Sequence, residues 1–165
     1  CPMLFTQDEW PGGKDIATSP AIWRRLFSDL DSPNLGLNYD PSHMVWQGLD
    51  PVAFILDFAD RIYHVDCKDT RMRMGNGRNG VLGSHRPWAD PRRGWDFVST
   101  GRGDVPWEDA MRALRSIGYT GPISVEWEDA GMDRLDGAPQ GLAFVRSLLW
   151  NAPAGSFDDA FAAKD

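Results

Sequence analysis

Cysteine is scarce in this chain, and other absences narrow its class further. With Cys1 and Cys67 as its only cysteines it has too few for a disulfide framework, so a reducing cytoplasm is the expected compartment. No apolar run approaches the roughly 20 residues of a membrane span, so no membrane partner is expected. Basic residues are fewer than acidic ones: 17 Lys and Arg against 24 Asp and Glu give a net charge of −7. Long-range repulsion then disfavours nucleic acid, and a small molecule or a divalent cation is the expected partner.

What is present is ordinary for one globular domain: 165 residues, of which 42% are hydrophobic. Helices are predicted over residues 20–30, 50–59, 106–117 and 139–150, and strands over residues 34–40, 62–69 and 121–129. Ser19 and Asp50 each precede a proline, which is typical of a cap followed by the first helical residue. The alternation predicts an α/β domain with parallel strands over residues 1–152, followed by a tail at 153–165.

Side chains alternate along a strand, and each predicted strand has one apolar face and one polar face. Asp40, His64 and Glu126 lie on the polar faces, near the carboxyl ends of their strands. An open sheet covered on both sides would be apolar on both faces, whereas the inside of a barrel can be polar near the top. The pattern therefore favours a (β/α)8 TIM barrel, with these three side chains pointing inward at the end where such barrels place their active sites. Two carboxylates and an imidazole there form a candidate metal site.

Each of these residues also has a purely structural interpretation. Asp40 before a proline could be a turn residue, His64 an interior histidine, and the two glutamates of the third strand solvated charges. Lys68 and Asp66 are interpreted as an internal ion pair. Cys67, on the opposite face, is expected to pack as a small hydrophobic residue.

The predicted connection at residues 70–105 is too long to be a passive linker. It contains seven arginines: Arg71, Arg73, Arg78, Arg86, Arg92, Arg93 and Arg102. This local positive patch could recognise a phosphate or carboxylate on a substrate. Alternatively, it forms a lid or subunit contact whose arginines pair with the chain's own acids.

Four stretches carry a family resemblance: N-Y-D-P-S-H at 38–43, H-V-D-C-K-D at 64–69, G-R-G-D-V-P-W at 101–107 and G-Y-T-G-P-I-S-V-E-W-E-D at 118–129. As a set and in this order, they resemble the C-terminal half of the xylose isomerase-like barrel proteins. More narrowly, they resemble the sugar phosphate isomerase/epimerase branch, over about strands six to eight. A closed barrel takes about 250 residues. We therefore expect a C-terminal fragment, or a half-barrel that covers its open edges by forming a homo-oligomer.

The resemblance implies one divalent metal ion, Mn²⁺ first and Mg²⁺, Co²⁺ or Zn²⁺ as alternatives, held by Glu, Asp, His and Glu on strands five to eight. Asp40 matches the second ligand, His64 the third and Glu126 the fourth. The first glutamate has no counterpart and is expected upstream of Cys1.

Two further residues are implied as substrate contacts. His43 matches the family's substrate-binding histidine, three residues after the metal aspartate. Arg71 is the nearest candidate for an arginine that binds substrate in some members.

The implied activity is that of a sugar or sugar phosphate isomerase or epimerase. The metal would polarise a ketose carbonyl, a carboxylate would remove the neighbouring proton to give an enediolate, and a second carboxylate would return it. Glu126 would be one of that catalytic pair; since the other is expected upstream, the chain alone is expected to be inactive.

Three alternatives stay open. A keto-inositol or polyol dehydratase of the same fold uses the same enolising step. Endonuclease IV is disfavoured by the acidic charge and by the absence of an Asp-x-His pair after His64. A non-catalytic binding module that has kept the fold would lack both metal and affinity for ketoses.

Overall fold

A computed structural model of the protein describes residues 19–151 and residue 155. Apart from residue 155, the predicted tail at 153–165 lies outside the described residues, as do residues 1–18 and residue 152 of the predicted domain. The predicted domain boundaries therefore stay predictions.

Helices and strands alternate along most of the chain. The helices are α1 (Pro20–Asp29), α2 (Ser42–Val45), α3 (Pro51–Asp57), α4 (Trp107–Ser116) and α5 (Arg134–Ser147). The strands are β1 (Leu37–Tyr39), β2 (Ile62–Asp66), β3 (Asp69–Met72), β4 (Trp95–Val98) and β5 (Ile123–Ser124). No helix in the described part of the chain has the length and apolarity that crossing a membrane would require.

Strands β1, β2 and β5 form a parallel sheet with β2 in the centre. Helices α2 and α3 lie between β1 and β2 in the chain, and α4 precedes β5. Parallel neighbours need such crossovers, because the chain must return to the same end of the sheet. This arrangement confirms the predicted fold class: the described residues form part of a TIM-barrel wall.

Local sequence signals set the start of α3 and the end of α4 as predicted. The side chain of Asp50 accepts hydrogen bonds from Val52 N (2.9 Å) and Ala53 N (3.2 Å), and Pro51 is the first residue of α3. These bonds satisfy amide groups that have no partner within the helix. After α4, Gly118 has a φ of +71°, the left-handed conformation that ends many helices.

The main apolar core lies between the sheet and the helices. Val65 of β2 and Ile55 of α3 are fully buried in it, together with Leu114 of α4. Cys67 is fully buried in the same core, which confirms its predicted packing.

The connection at residues 70–105 differs from the prediction. It contains an antiparallel hairpin, in which Thr70 of β3 pairs with Phe97 of β4. The predicted strand 62–69 consequently ends at Asp66, and β3 starts a second sheet at Asp69. The hairpin depends on pairing between residues more than 20 positions apart, which glycine-rich local sequence does not reveal. The other predicted strands, 34–40 and 121–129, shorten to β1 and β5.

The last helix also begins earlier than predicted. The prediction placed its start at Pro139, whereas α5 starts at Arg134 and contains that proline. Asp133 is the actual cap, because its side chain accepts a hydrogen bond from Leu135 N (2.7 Å). A proline inside a helix removes one backbone hydrogen bond. Proline is also common at the first helical position, so sequence alone does not separate the two positions of Pro139.

Candidate active site

The strand register decides which side chains lie level with one another. Asn38 of β1 pairs with His64 of β2, so the register carried two residues further brings Asp40 level with Asp66. Asp66 in turn pairs with Ser124 of β5. Because side chains alternate, these residues share one face of the sheet. His64 therefore lies one layer deeper than Asp40.

Asp40 is a buried carboxylate at the end of β1, with only 10% of its side chain exposed. Its Oδ1 accepts hydrogen bonds from Ser42 N (2.9 Å) and Ser42 Oγ (2.6 Å). Burial raises the pKa of Asp40 to about 7, and the negative charge of Glu126 adds to this rise. The Ser42 hydrogen bonds and the charge of Lys68 act in the opposite direction. Burial thus outweighs its hydrogen bonds, and an added positive charge would stabilise the ionised form.

His43 lies in α2, the short helix that directly follows Asp40. Its Nε2 lies 3.2 Å from Asp40 Oδ2, and its Nδ1 accepts a hydrogen bond from Trp46 Nε1 at 3.4 Å. A neutral imidazole that accepts at Nδ1 carries its proton on Nε2. The edge of the ring packs against Phe97 of the hairpin, with 5.3 Å between ring centroids. The structure thus brings the predicted metal aspartate and the predicted substrate histidine together.

Glu126 lies just beyond β5 and is held by Lys68. The Lys68 ammonium is 2.9 Å from Glu126 Oε1 and 2.6 Å from Glu128 Oε2, and 4.2 Å from the centroid of the Phe97 ring. Only 6% of the Lys68 side chain is exposed, whereas both glutamates are nearly half exposed. Burial alone would lower the pKa of Lys68, but its hydrogen bonds to Glu128 and Glu126 raise it overall, so it stays charged. We call Asp40, Glu126 and Glu128, which surround Lys68, the carboxylate cluster. The sequence does not predict that Lys68 belongs to it.

The predicted ion pair between Lys68 and Asp66 is wrong. Asp66 accepts hydrogen bonds from Asn38 Nδ2 (2.6 Å) and from the Ser124 hydroxyl. Burial would raise the pKa of Asp66, but the hydrogen bonds from Ser124 and Asn38 and the nearby His64 lower it on balance. Lys68 lies beyond the end of β2, where its long side chain reaches the β5 carboxylates instead.

The predicted third metal ligand, His64, is 36% exposed and lies beside Asp66. Its Nε2 is 3.8 Å from Asp66 Oδ1. The register places His64 level with Asn38, one layer from Asp40, while Glu126 lies beyond the last paired residue of β5. Its role as a ligand stays a prediction.

Arg71, the other predicted substrate contact, lies on β3 and is exposed. Its guanidinium donates to the Arg102 carbonyl, and both arginines line a cavity of about 260 Å³. Phe97 forms part of that cavity wall. The same ring touches His43 and Lys68, so Arg71 adjoins the carboxylate cluster through Phe97.

The fit of a divalent ion can be judged from the donors present. Among residues 19–151, no three His, Cys, Asp or Glu side chains are arranged as a complete metal-binding group. Asp40 and Glu126 nevertheless have the chemistry that Mn²⁺ or Mg²⁺ requires: two carboxylates, one of them buried with a raised pKa and each within electrostatic range of the other. These two residues fit as part of a ligand set.

Comparison with known proteins agrees with this architecture. A family model described as the xylose isomerase-like TIM barrel matches residues 5–148. The uncharacterized protein YfiH of Bacillus subtilis is 36% identical over 103 residues, covering 61% of this chain and 33% of YfiH. An inosose dehydratase of Lacticaseibacillus casei is 28% identical over 116 residues, covering 70% of this chain and 38% of that enzyme.

Among solved structures, that of an L-ribulose 3-epimerase superposes with a TM-score of 0.58 at 20% identity, over 84% of this chain and 44% of the epimerase. The chain thus spans less than half the length of each of these relatives. The family match covers most of the chain, and the structure has the matching parallel sheet and helices. The chain therefore belongs to the xylose isomerase-like TIM-barrel family.

Proposed function

We propose that the chain supplies part of the active site of a divalent-metal-dependent sugar or sugar phosphate isomerase or epimerase. The observation that carries the proposal is the contact of Asp40 with His43, beside a Glu126 carboxylate that a buried ammonium fixes and whose charge acts on Asp40. The family includes sugar epimerases and inosose dehydratases, whose reactions fit such a carboxylate cluster.

Glu126 is the proposed acid/base. Its carboxylate is nearly half exposed, so a substrate carbon can approach it, and Lys68 holds one of its oxygens in place. Glu126 would take the proton from the carbon next to the substrate carbonyl, giving an enediolate, and a second carboxylate would return a proton on the other face or at the neighbouring carbon. A bound divalent ion would polarise that carbonyl.

His43 is the proposed substrate contact. Its Nε2–H faces the Asp40 carboxylate, and Trp46 fixes the ring from the other side. When substrate is bound, this Nε2–H would donate to a hydroxyl or carbonyl oxygen of the sugar in place of Asp40. Asp40 and Glu126 are the proposed metal ligands in this chain, with His64 as the third candidate.

Metal binding tests the ligand assignment without any turnover. We expect Mn²⁺, titrated into the chain by calorimetry, to bind at least about tenfold more weakly to the Asp40→Asn and Glu126→Gln variants. Glu108→Gln is the matched control, because Glu108 is exposed on α4 and pairs with Arg112 away from the site. Equal Mn²⁺ affinity in the wild type and both site variants would contradict the assignment.

A dehydratase is the second candidate, favoured by the 28% identity to inosose dehydratase. Both reactions begin with proton removal next to a carbonyl, but only the dehydratase then expels water. Incubating ketoses and inososes with a version extended upstream, and following products by NMR, separates them. Loss of water would support the dehydratase, and inversion or carbonyl migration the isomerase or epimerase. The 165-residue chain assayed in parallel is expected to show no turnover.

A further inference from the structure

Three arginines of the 70–105 segment form ion pairs with aspartates of the same segment. Arg92 and Arg86 approach Asp90 at 2.6 and 3.9 Å, and Arg93 is buried with its Nε 3.3 Å from Asp96 Oδ2. Asp90 and Asp96 thus balance two of these three positive charges within the segment.

Arg71 and Arg102 are different. Within the described part of the chain, neither guanidinium forms an ion pair with a carboxylate. Arg71 donates to the Arg102 carbonyl, and Arg102 donates to the side-chain oxygen of Gln140. A guanidinium has five N–H donors, so each retains donors for a ligand.

Both arginines line the same cavity of about 260 Å³ between the hairpin and the loop after β5. Two carboxylates also line it, but their oxygens are engaged elsewhere. Asp96 faces Arg93 and accepts from Ala89 N. Asp129 accepts from Ser99 N at 2.8 Å and from Gly131 N at 3.0 Å. Arg93 balances the charge of Asp96, whereas amide hydrogen bonds leave the negative charge of Asp129 in place. Two guanidinium groups thus face one uncompensated carboxylate, and the cavity keeps a net positive charge for a ligand.

The cavity also adjoins the carboxylate cluster. Asp96, Phe97 and Asp129 are shared with a second cavity, also of about 260 Å³, that Glu128 and Trp88 line. Glu128 and Phe97 both contact Lys68, which holds Glu126. The arginine cavity thus adjoins Lys68, the residue that holds Glu126, through Phe97, although Glu126 itself lines neither cavity.

We infer that the cavity between Arg71 and Arg102, which we call the arginine cavity, binds the oxyanion of an acidic sugar. Planar guanidinium groups recognise phosphate and carboxylate groups by paired hydrogen bonds. The inference rests on the proposed function for the sugar and for the reacting end at Glu126. It adds that the substrate carries a phosphate or carboxylate at the end remote from the reacting carbons.

The test is equilibrium binding of glucose 6-phosphate, glucuronate and glucose to the 165-residue chain, by calorimetry at low salt. We expect at least one acidic sugar to bind about tenfold or more tightly than glucose, and Arg71→Gln and Arg102→Gln each to remove most of that difference. The better acidic sugar identifies the source of the oxyanion as phosphate or carboxylate.

Arg78→Gln is the matched control, because Arg78 is exposed in the same segment and lines neither cavity. Unchanged far-UV circular dichroism would show that the variants are folded, and Arg102→Lys should retain part of the preference. Equal affinity for all three sugars, no detectable binding of either acidic sugar, or an equal loss in Arg78→Gln would overturn the inference. None of these results depends on turnover, so the proton-transfer proposal stands or falls separately.

Discussion

At Lys68, the difference in burial between the ammonium and its carboxylate partners decides which side of the ion pair contributes more to stability. Its ammonium is buried, whereas the carboxylates of Glu126 and Glu128 are nearly half exposed and can be hydrated without it. Removing the lysine leaves two hydrated charges, but removing both carboxylates leaves a buried charge without compensation. Removing the two carboxylates should therefore destabilise the fold more than removing the lysine.

That asymmetry is measurable by urea unfolding. We expect Lys68→Met, which keeps an unbranched apolar stem, to lower the free energy of unfolding by about 1 kcal/mol. The double variant Glu126→Gln/Glu128→Gln should lower it by about 3 kcal/mol. Arg112→Met, which breaks the exposed pair with Glu108, is the control and should cost at most about 0.5 kcal/mol. A larger cost for Lys68→Met than for the double variant would contradict the account.

Cys67 gives a second prediction for a single residue. Its thiol is fully buried, and burial, followed by the charges of Asp66 and Asp40, raises its pKa to about 12. Since the thiolate is the reactive form, we expect a thiol reagent at pH 8 to modify Cys67 at least about 100-fold more slowly in the native protein than in denaturant. The measurement is made in a Cys1→Ser background. Equal rates in the two states would show that the thiol is accessible in the folded chain.

At the scale of elements, one carboxylate fixes the loop between the hairpin and α4. Asp69 accepts hydrogen bonds from the backbone N–H groups of Gly101 (2.9 Å), Gly103 (3.1 Å) and Val105 (3.2 Å), and from Trp107 Nε1 (3.1 Å). A Cβ on Gly103 would lie 2.2 Å from Asp69 Oδ1, so the approach requires glycine. This loop holds Arg102 at the edge of the arginine cavity.

Removing that carboxylate should therefore destabilise the chain strongly. Asp69→Ala leaves buried donors without an acceptor and should cost about 3 kcal/mol, while Asp69→Asn should cost less because one acceptor oxygen remains. Asp109→Asn, on the exposed face of α4, is the control and should change stability by at most about 0.5 kcal/mol. Thermal or urea unfolding measures the loss of stability in each variant. A loss in Asp69→Ala no larger than that in the control would refute the role of Asp69 in fixing the loop.

Elements were predictable from sequence where their cause is local. The start of α3 at Pro51 follows from the Asp50 cap, and the end of α4 at Ser116 from Gly118. The β3–β4 hairpin was not predictable in this way, because it depends on distant pairing and on stacking such as that of Trp46 on Trp95, 5.0 Å between ring centroids.

For the whole molecule, strand parity predicts that the polar residues share one face, and the register of β1, β2 and β5 puts Asn38, His64, Asp66 and Ser124 on one face. Asp40 and Glu126 lie just beyond these paired residues, so their shared face stays a prediction. Strand parity does not predict which neighbouring side chains form hydrogen bonds or ion pairs with one another. Lys68 turned to Glu126 instead of Asp66, and His64 lies beside Asp66, because side-chain reach and layer depth decide these pairs. The proposed catalytic role of Glu126 depends on proton transfer, which neither parity nor register tests.

The most direct measurement is deuterium incorporation next to the carbonyl of a ketose in D₂O, followed by NMR with Mg²⁺ present. It should use a version extended upstream to the length of the relatives, compared with its Glu126→Gln and Glu108→Gln variants. We predict that the wild type and Glu108→Gln exchange the proton, and that Glu126→Gln slows exchange by about 10²–10⁴-fold. Exchange in Glu126→Gln as fast as in the wild type would contradict the assignment of Glu126 as the proton-transferring residue.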